Sequence, residues 1–191
     1  KRLVYCDREL YDRNQVFLNI GDIIPVSLFG GYYHVAVIND KGEIILINRD
    51  EIKNDTKSQI MAVSLPDGEK ASNVVCMEHN IYVLSSKFHV FSSDVKSGNF
   101  TLSFSRVKEL VGEEIVCLSG THSHCLAVNK EGHVFSWGSN EEGQLGLGEE
   151  TESVSVFTEI SSLQKYKIKE AYTGPYHSLF VTEEGKILAC G

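Results

Sequence analysis

The stretch WGSNEEGQLGLG, residues 137–148, decides the fold because it places four glycines in twelve residues behind the only tryptophan of the 191-residue chain. A segment this rich in glycine either holds a phosphate or lets the backbone turn sharply between strands. Gly138 and Gly143 have the spacing of a phosphate-binding loop. However, Gln144 and Leu145 follow where that motif requires Lys and then Ser or Thr.

A second nucleotide motif also fails in this stretch. Gly143, Gly146 and Gly148 have the reversed order of the dinucleotide fingerprint, and no helical pattern follows them. Glu141 and Glu142 would repel a phosphate. The stretch therefore predicts no nucleotide site, and we expect no cofactor.

Composition predicts a globular protein and excludes two kinds of partner. The chain is 42% hydrophobic and 23% charged, with a net charge of −8 and an isoelectric point near 5.4. Binding to DNA or to anionic lipid depends on lysine and arginine, so we expect neither nucleic acid nor membrane as a partner.

The cysteines and the apolar runs indicate an intracellular location, cytoplasmic or nuclear. Five cysteines without a CxxC spacing are typical of reduced thiols (Cys6, Cys76, Cys117, Cys125 and Cys190). No apolar run reaches the roughly 18 residues of a membrane helix, and the charged start does not resemble a signal peptide. Because the chain starts at Lys1 rather than at a methionine, we expect it to be a piece of a longer protein.

Three segments share one repeat frame: GGYYHVAVINDKGEIIL (30–46), SGTHSHCLAVNKEGHVFSWG (119–138) and TGPYHSLFVTEEGKILACG (173–191). In each, a turn containing glycine precedes a histidine, and a second glycine follows eight residues later. The histidines are His34, His124 and His177, and the glycines are Gly42, Gly132 and Gly185. A weaker fourth copy, residues 76–94, has Asn80 and Phe88 at these two positions.

Each copy is typical of a β-hairpin. Its residues alternate between two faces, and NDKG, NKEG and TEEG supply polar turn residues with a glycine suited to positive φ. Equivalent positions lie 41, 46, 44 and 53 residues apart (Leu3, Ile44, Val90, Val134 and Ile187). Strand repeats near 45 residues predict propeller blades or a β-solenoid. We treat residues 1–191 as one domain with periods of about 3–43, 44–89, 90–133 and 134–187.

The turn, the hairpin and WGSNEEGQLGLG together resemble the regulator of chromosome condensation repeat. The resemblance implies an all-β fold, a seven-bladed β-propeller of four-stranded antiparallel blades. Trp137, Gly138, Gly143 and Gly146 would then be structural repeat positions. Other copies depart from the pattern, with Ile47-Asn48, Ser93-Asp94 and Cys190-Gly191 in place of the Trp-Gly pair.

About four repeat periods are too few for seven blades. We therefore expect a partial propeller whose remaining blades lie outside this sequence or on another chain, with a closed four-bladed ring as the alternative. Unpaired strand edges on a partial wheel promote aggregation, so we expect a partner to cover them.

Two groups of residues superficially resemble catalytic or metal sites. Cys117, His122, His124 and Cys125 do not have the regular spacing of paired zinc ligands, so we predict no metal. The repeat explains His124 as a residue that locks the turn through a backbone hydrogen bond. His177 and Ser178 are adjacent and face opposite sides of a strand, so by themselves they form no catalytic dyad.

Candidate contact residues lie in the turns. Tyr32, Tyr33 and Tyr176 precede the repeat histidines, and with Glu141 and Glu142 they are candidates for binding a partner, although packing between blades also explains the tyrosines. Between the repeats, residues 48–72 are polar and are predicted to form a long blade insertion. Residues 153–172 have the composition of outer blade strands.

Two functions from different classes remain. The first is a noncatalytic propeller that binds proteins as a scaffold or recruiting module. The alternative, implied by the resemblance, is a guanine-nucleotide exchange factor for a Ran-like small GTPase. No residues here can be assigned to an exchange wedge, so we favour the first and predict no catalytic residue.

Overall fold

A computed structural model of the chain describes residues 2–5, 16–19, 22–31, 34–48, 62–95, 102–148 and 150–191. Tyr32 and Tyr33 lie outside these ranges. Within them the chain forms seventeen strands and three short 3-10 turns, with no α-helix. No helix in the described ranges is long and apolar enough to cross a membrane.

The strands form five antiparallel sheets. A two-stranded sheet contains β1 (Arg2–Tyr5) and β2 (Val16–Asn19). Blade 1 contains β3 (Pro25–Gly30), β4 (His34–Asn39), β5 (Ile44–Asn48) and β6 (Ala62–Val63). Blade 2 contains β7 (Ala71–Cys76), β8 (Asn80–Ser85), β9 (Val90–Asp94) and β10 (Ser105–Arg106).

The remaining two sheets follow the same order along the chain. Blade 3 contains β11 (Ile115–Gly120), β12 (His124–Asn129), β13 (Val134–Ser139) and β14 (Ser153–Glu159). Blade 4 contains three strands, β15 (Ile168–Thr173), β16 (Ser178–Thr182) and β17 (Ile187–Cys190). A 3-10 turn lies between each pair of successive blades, at Pro66–Gly68, Lys108–Leu110 and Ser161–Leu163.

Each blade is a meander, and its first two strands pack against the first strand of the next blade. The apolar core is therefore divided into layers between successive sheets. One layer joins Tyr82 and Leu84 of blade 2 to Phe135 and Phe157 of blade 3. A second lies between blades 1 and 2, and a third between blades 3 and 4. The prediction of an all-β propeller with four-stranded antiparallel blades is confirmed, and in the described chain blades 1 to 3 have four strands and blade 4 has three.

The hairpins between the second and third strands connect neighbouring blades. The repeat glycines Gly42, Gly132 and Gly185 have φ of 80°, 91° and 80°, and Phe88 adopts 66° in the degenerate copy. The carbonyl of the hairpin residue accepts a hydrogen bond from the first strand of the next blade: Ala71 N–H to Gly42 O at 2.9 Å, Ile115 N–H to Phe88 O at 3.0 Å, and Ile168 N–H to Gly132 O at 3.2 Å. The left-handed turn thus aims a carbonyl at the next blade.

Two segments differ from their predicted roles. In residues 48–72, predicted to be a long insertion, Ala62–Val63 is the fourth strand of blade 1 and Ala71 begins blade 2, because these apolar residues pair with neighbouring strands. Residues 153–172 contain the outer strand β14, but also most of β15, which is the first strand of blade 4. The predicted periods that start at Ile44, Val90 and Val134 begin at third strands, so each one crosses from one sheet into the next.

Candidate functional site

The loop between β13 and β14 is organised by the side chain of Asn140. Its Oδ1 accepts a hydrogen bond from Leu145 N–H at 2.8 Å, and its Nδ2 donates to Gly148 O at 3.0 Å and Thr151 O at 2.6 Å. Asn140 is itself buried. One amide side chain therefore holds both branches of the loop, which gives the glycine-rich segment a defined shape.

The same loop docks onto blade 4. Gln144 O accepts hydrogen bonds from Ser178 Oγ at 2.6 Å and from Cys190 Sγ at 3.5 Å. Leu145 is fully buried, and a Cβ added at Gly146 would contact both Cys190 Sγ and Ile160 at 3.4 Å. The glycines thus allow the loop to approach the next blade closely.

The backbone amides of this loop are already occupied. The N–H groups of Gly143 and Gly146 donate to Asn140 O at 2.9 Å and Gly143 O at 3.0 Å. Glu142 N–H donates to Gln144 Oε1 at 2.9 Å. A phosphate-binding loop needs such amides directed at its ligand, so this geometry does not fit one. The side chains of Glu141 and Glu142 are exposed.

His124 connects blade 3 to blade 4. Its Nε2 lies 3.1 Å from Ser178 Oγ. Because Ser178 donates its hydroxyl proton to Gln144 O, its oxygen must accept from His124, which assigns the imidazole proton to Nε2. Thr121 Oγ1, 3.3 Å from Nδ1, is then the donor on the other side of the ring. Burial, with the charges of His122 and His177, lowers the pKa of His124 to about 4.

Ser178 therefore forms a hydrogen bond with His124 and not with its sequence neighbour His177. Both His124 and Ser178 are fully buried, and the serine proton points to a carbonyl rather than to the imidazole. This arrangement cannot activate a nucleophile. It is a contact between blades, in addition to the turn bond from Thr121 N–H to His124 O at 2.9 Å.

The other repeat histidines have different environments. His34 is buried in blade 1, where its carbonyl accepts from Gly31 N–H at 2.8 Å. His177 is exposed, and its ring covers Gly174 so closely that an added Cβ would lie 2.2 Å from ring atom Cε1. His177 follows the same turn as His124, but its ring faces solvent in the described chain.

Trp137 lies at the junction of blades 2 and 3. Its ring is 5.5 Å from that of Tyr82, at an interplanar angle of 61°, and it is partly buried against the core layer of the two blades. Gly138, at φ 111°, is required beside it because an added Cβ would lie 2.2 Å from Ser123 O. Tyr176 is 62% exposed in the turn before β16.

The four thiols in the described ranges are buried or half-buried. Burial raises the pKa of Cys76 to about 12 and raises that of Cys125 further. Burial also raises the pKa of Cys117 and Cys190. Within the described ranges, no three His, Cys, Asp or Glu side chains are grouped so that they could hold a metal.

The sequence did not predict the polar cluster of Glu69, Ser85 and His89. In blade 2, Ser85 Oγ donates to Glu69 Oε2 at 2.5 Å, and His89 Nδ1 lies 2.8 Å from Glu69 Oε1. Burial raises the pKa of Glu69, but the bonds from Ser85 and His89 outweigh it and hold that pKa below its usual value. Serine and histidine both bind the carboxylate rather than each other, so the cluster closes a hairpin and contains no activated nucleophile.

Known proteins match this chain over part of their length. The regulator of chromosome condensation (RCC1) repeat family matches residues 131–181, and a second pattern of the same family matches residues 115–144. The Arabidopsis thaliana ultraviolet-B receptor UVR8 is 35% identical over 138 residues, which are 68% of this chain and 31% of that protein. The Bos taurus secretion-regulating guanine nucleotide exchange factor is 39% identical over 74 residues, 39% of this chain and 16% of its own length.

A solved structure supports the fold. The human WBSCR16 structure superposes with a TM-score of 0.73 at 19% identity and covers 87% of this chain and 47% of its own. The chain thus spans less than half the length of each of these three proteins. The repeat frame, the blades and these matches agree: this chain has a β-propeller fold, and its residues 115–181 belong to the RCC1 repeat family.

Proposed function

We propose that this chain is part of a noncatalytic propeller that recruits a protein partner through its loop face. We define the loop face as the end of the blades that carries the turns between first and second strands and the loops between third and fourth strands. The observation that carries the proposal is the described part of the β13–β14 loop, which hydrogen bonds of Asn140 and of blade 4 constrain. A rigid loop presents its side chains to a partner at small entropic cost.

The charge of this loop favours a basic partner. Residues 139–155 contain five glutamates and neither lysine nor arginine. Glu141 and Glu142 are exposed. Tyr176 is exposed in the turn between β15 and β16, which belongs to the same loop face, and the β13–β14 loop reaches blade 4 through the bond from Ser178 to Gln144. Exposed acidic side chains and an exposed aromatic ring at the same end of the blades form a surface suited to an interface with a basic protein.

The test is a pull-down with a charge-reversed variant. Replacing Glu141 and Glu142 by lysine should weaken capture of the partner and reduce its dependence on salt. The matched control replaces Glu109 and Glu131 by lysine, since these exposed glutamates lie at the hairpin end of the blades. Equal loss of capture in both variants would contradict a specific role for the loop face.

The second candidate function is guanine-nucleotide exchange, favoured by the match to a secretion-regulating exchange factor. An exchange factor must bind the nucleotide-free GTPase more tightly than the loaded form. Release of a fluorescent guanine nucleotide from a panel of small GTPases, followed by stopped flow, separates the two functions. We expect no acceleration; an increase on the order of a hundredfold, equivalent to about 2.7 kcal/mol of barrier lowering, would establish exchange instead.

A further inference from the structure

A cleft of about 380 Å³ opens on the loop face between blades 2 and 3. We call it the Trp137 cleft. It is lined by the turns before β8 and β12 and by the facing ends of β13 and β14. Its lining residues include Glu78, His79, His122, Ser123 and Trp137. Its volume is at the lower end of the range for ligand pockets, roughly 300–1,000 Å³.

The walls of the cleft are fixed before any ligand arrives. Glu78 N–H of blade 2 donates to His122 O of blade 3 at 3.4 Å, and Ser139 N–H donates to Ser123 O at 2.9 Å. Trp137 is held by its edge contact with Tyr82, which in turn packs edge-on against Phe157 at 5.4 Å. The cleft therefore offers a side chain a preorganised site.

The chemistry of the walls favours one type of side chain. Trp137 supplies an indole ring on which a planar cation can stack. Glu78 supplies a carboxylate, and His79 Nε2 lies 3.8 Å from its Oε1, too far for a hydrogen bond. Ser123 Oγ is buried and has no hydrogen-bond partner within the described residues. An aromatic ring, a carboxylate and an unused hydroxyl acceptor together match a guanidinium group.

The charge around the cleft agrees with this match. Among the described residues that line it there is no lysine or arginine, and the β13–β14 segment that starts and ends at the cleft has five glutamates in its sequence, residues 139–155. A neutral apolar ligand would leave Glu78 and Ser123 without partners. Lysine, a compact and strongly hydrated charge, would use the indole ring less well than arginine does.

We infer that the Trp137 cleft binds an arginine side chain from an exposed segment of a protein partner. The guanidinium stacks on Trp137, donates to the Glu78 carboxylate and donates to Ser123 Oγ. This inference rests on the proposed protein-binding function and names the chemistry of the partner.

The experiment uses synthetic peptides and the single tryptophan as the reporter. Three nine-residue peptides of glycine and serine carry two central arginines, two lysines or two glutamines, and the emission of Trp137 is followed during titration. We expect a saturable change with the arginine peptide, at least fivefold tighter binding than with glutamine, and intermediate binding with lysine. Equal response to the arginine and glutamine peptides would overturn the inference.

A pair of variants tests the carboxylate. Glu78→Gln should weaken binding of the arginine peptide at least threefold, whereas Glu131→Gln, the same change at an exposed hairpin of blade 3, should leave it unchanged. Equal behaviour of the two variants would refute the site. If partner capture depends on Glu141 and Glu142 while the peptides do not bind, the proposed function stands and the cleft assignment fails. If the peptides bind as expected and no protein is captured, the proposed function fails alone.

Discussion

Replacing single repeat glycines by alanine should show that the hairpins determine how closely successive blades pack. In Gly185→Ala the added Cβ has no atom within 4 Å. The substitution therefore costs only the strain of an alanine at φ 80°, roughly 1–2 kcal/mol of folding stability. Gly132→Ala adds the same backbone cost at φ 91°. In addition, its Cβ would lie 2.9 Å from Ile168 N and 2.7 Å from Lys167 Cγ.

The free energy of unfolding should therefore fall more for Gly132→Ala than for Gly185→Ala. Relieving the contact with a backbone nitrogen requires blade 4 to move, which breaks the bond from Ile168 N–H to Gly132 O, a bond of about 1 kcal/mol. We expect the free energy of unfolding to fall by about 2–3 kcal/mol for Gly132→Ala, against about 1–2 kcal/mol for Gly185→Ala.

Equilibrium unfolding in guanidinium chloride, followed by the emission of Trp137, measures both free energies. Gly42→Ala should behave like Gly132→Ala, because its Cβ would lie 2.6 Å from Lys70 Cβ. If Gly132→Ala and Gly185→Ala cost the same within about 0.5 kcal/mol, the turn does not set the distance between blades, and the reasoning fails.

Three further predictions concern buried groups. Folding lowers the pKa of His124 from 6.5 to about 4, so its contribution to stability is complete above pH 6.5 and is lost as the pH falls towards 4. At 1.36 kcal/mol per pH unit, the free energy of unfolding falls by about 3 kcal/mol over this range. Urea unfolding between pH 6.5 and pH 4 should show this fall in the unsubstituted protein but not in His124→Gln. Trp137→Ala should lower the free energy of unfolding by about 2 kcal/mol, because Tyr82 loses its edge contact. The loss is smaller than for a fully buried ring because part of the indole is already exposed, and an unchanged melting temperature by circular dichroism would contradict it. Iodoacetamide at pH 8 should modify Cys76 and Cys125 far more slowly in the folded protein than in urea, and equal rates by mass spectrometry would refute their burial.

The repeat frame could be predicted from the sequence because it depends on local backbone geometry. A glycine eight residues after each histidine marks a left-handed turn, and the structure places Gly42, Gly132 and Gly185 in that conformation. The frame even locates Phe88, which adopts φ 66° without being a glycine. Alternation within the strands is equally local, so the blades could be predicted without knowing how they pack.

The contacts between blades could not be predicted in this way. His124 and Ser178 are 54 residues apart, and their hydrogen bond depends on the position of blade 4 beside blade 3. The Trp137 cleft likewise combines a turn of blade 2 with strands of blade 3. Asn140 was part of the quoted motif, but which carbonyls its amide reaches depends on the path of the whole loop.

The hydrogen bonds from hairpin carbonyls to the next blade have an evolutionary consequence. They lie at one end of the blades, whereas the loops between third and fourth strands lie at the other. A loop can therefore lengthen, shorten or change its charge without altering the angle at which the sheets meet. Selection can act separately on the loops that bind a partner and on the hairpins that hold the blades together. Related propellers can therefore acquire unrelated partners while keeping the same turn glycines.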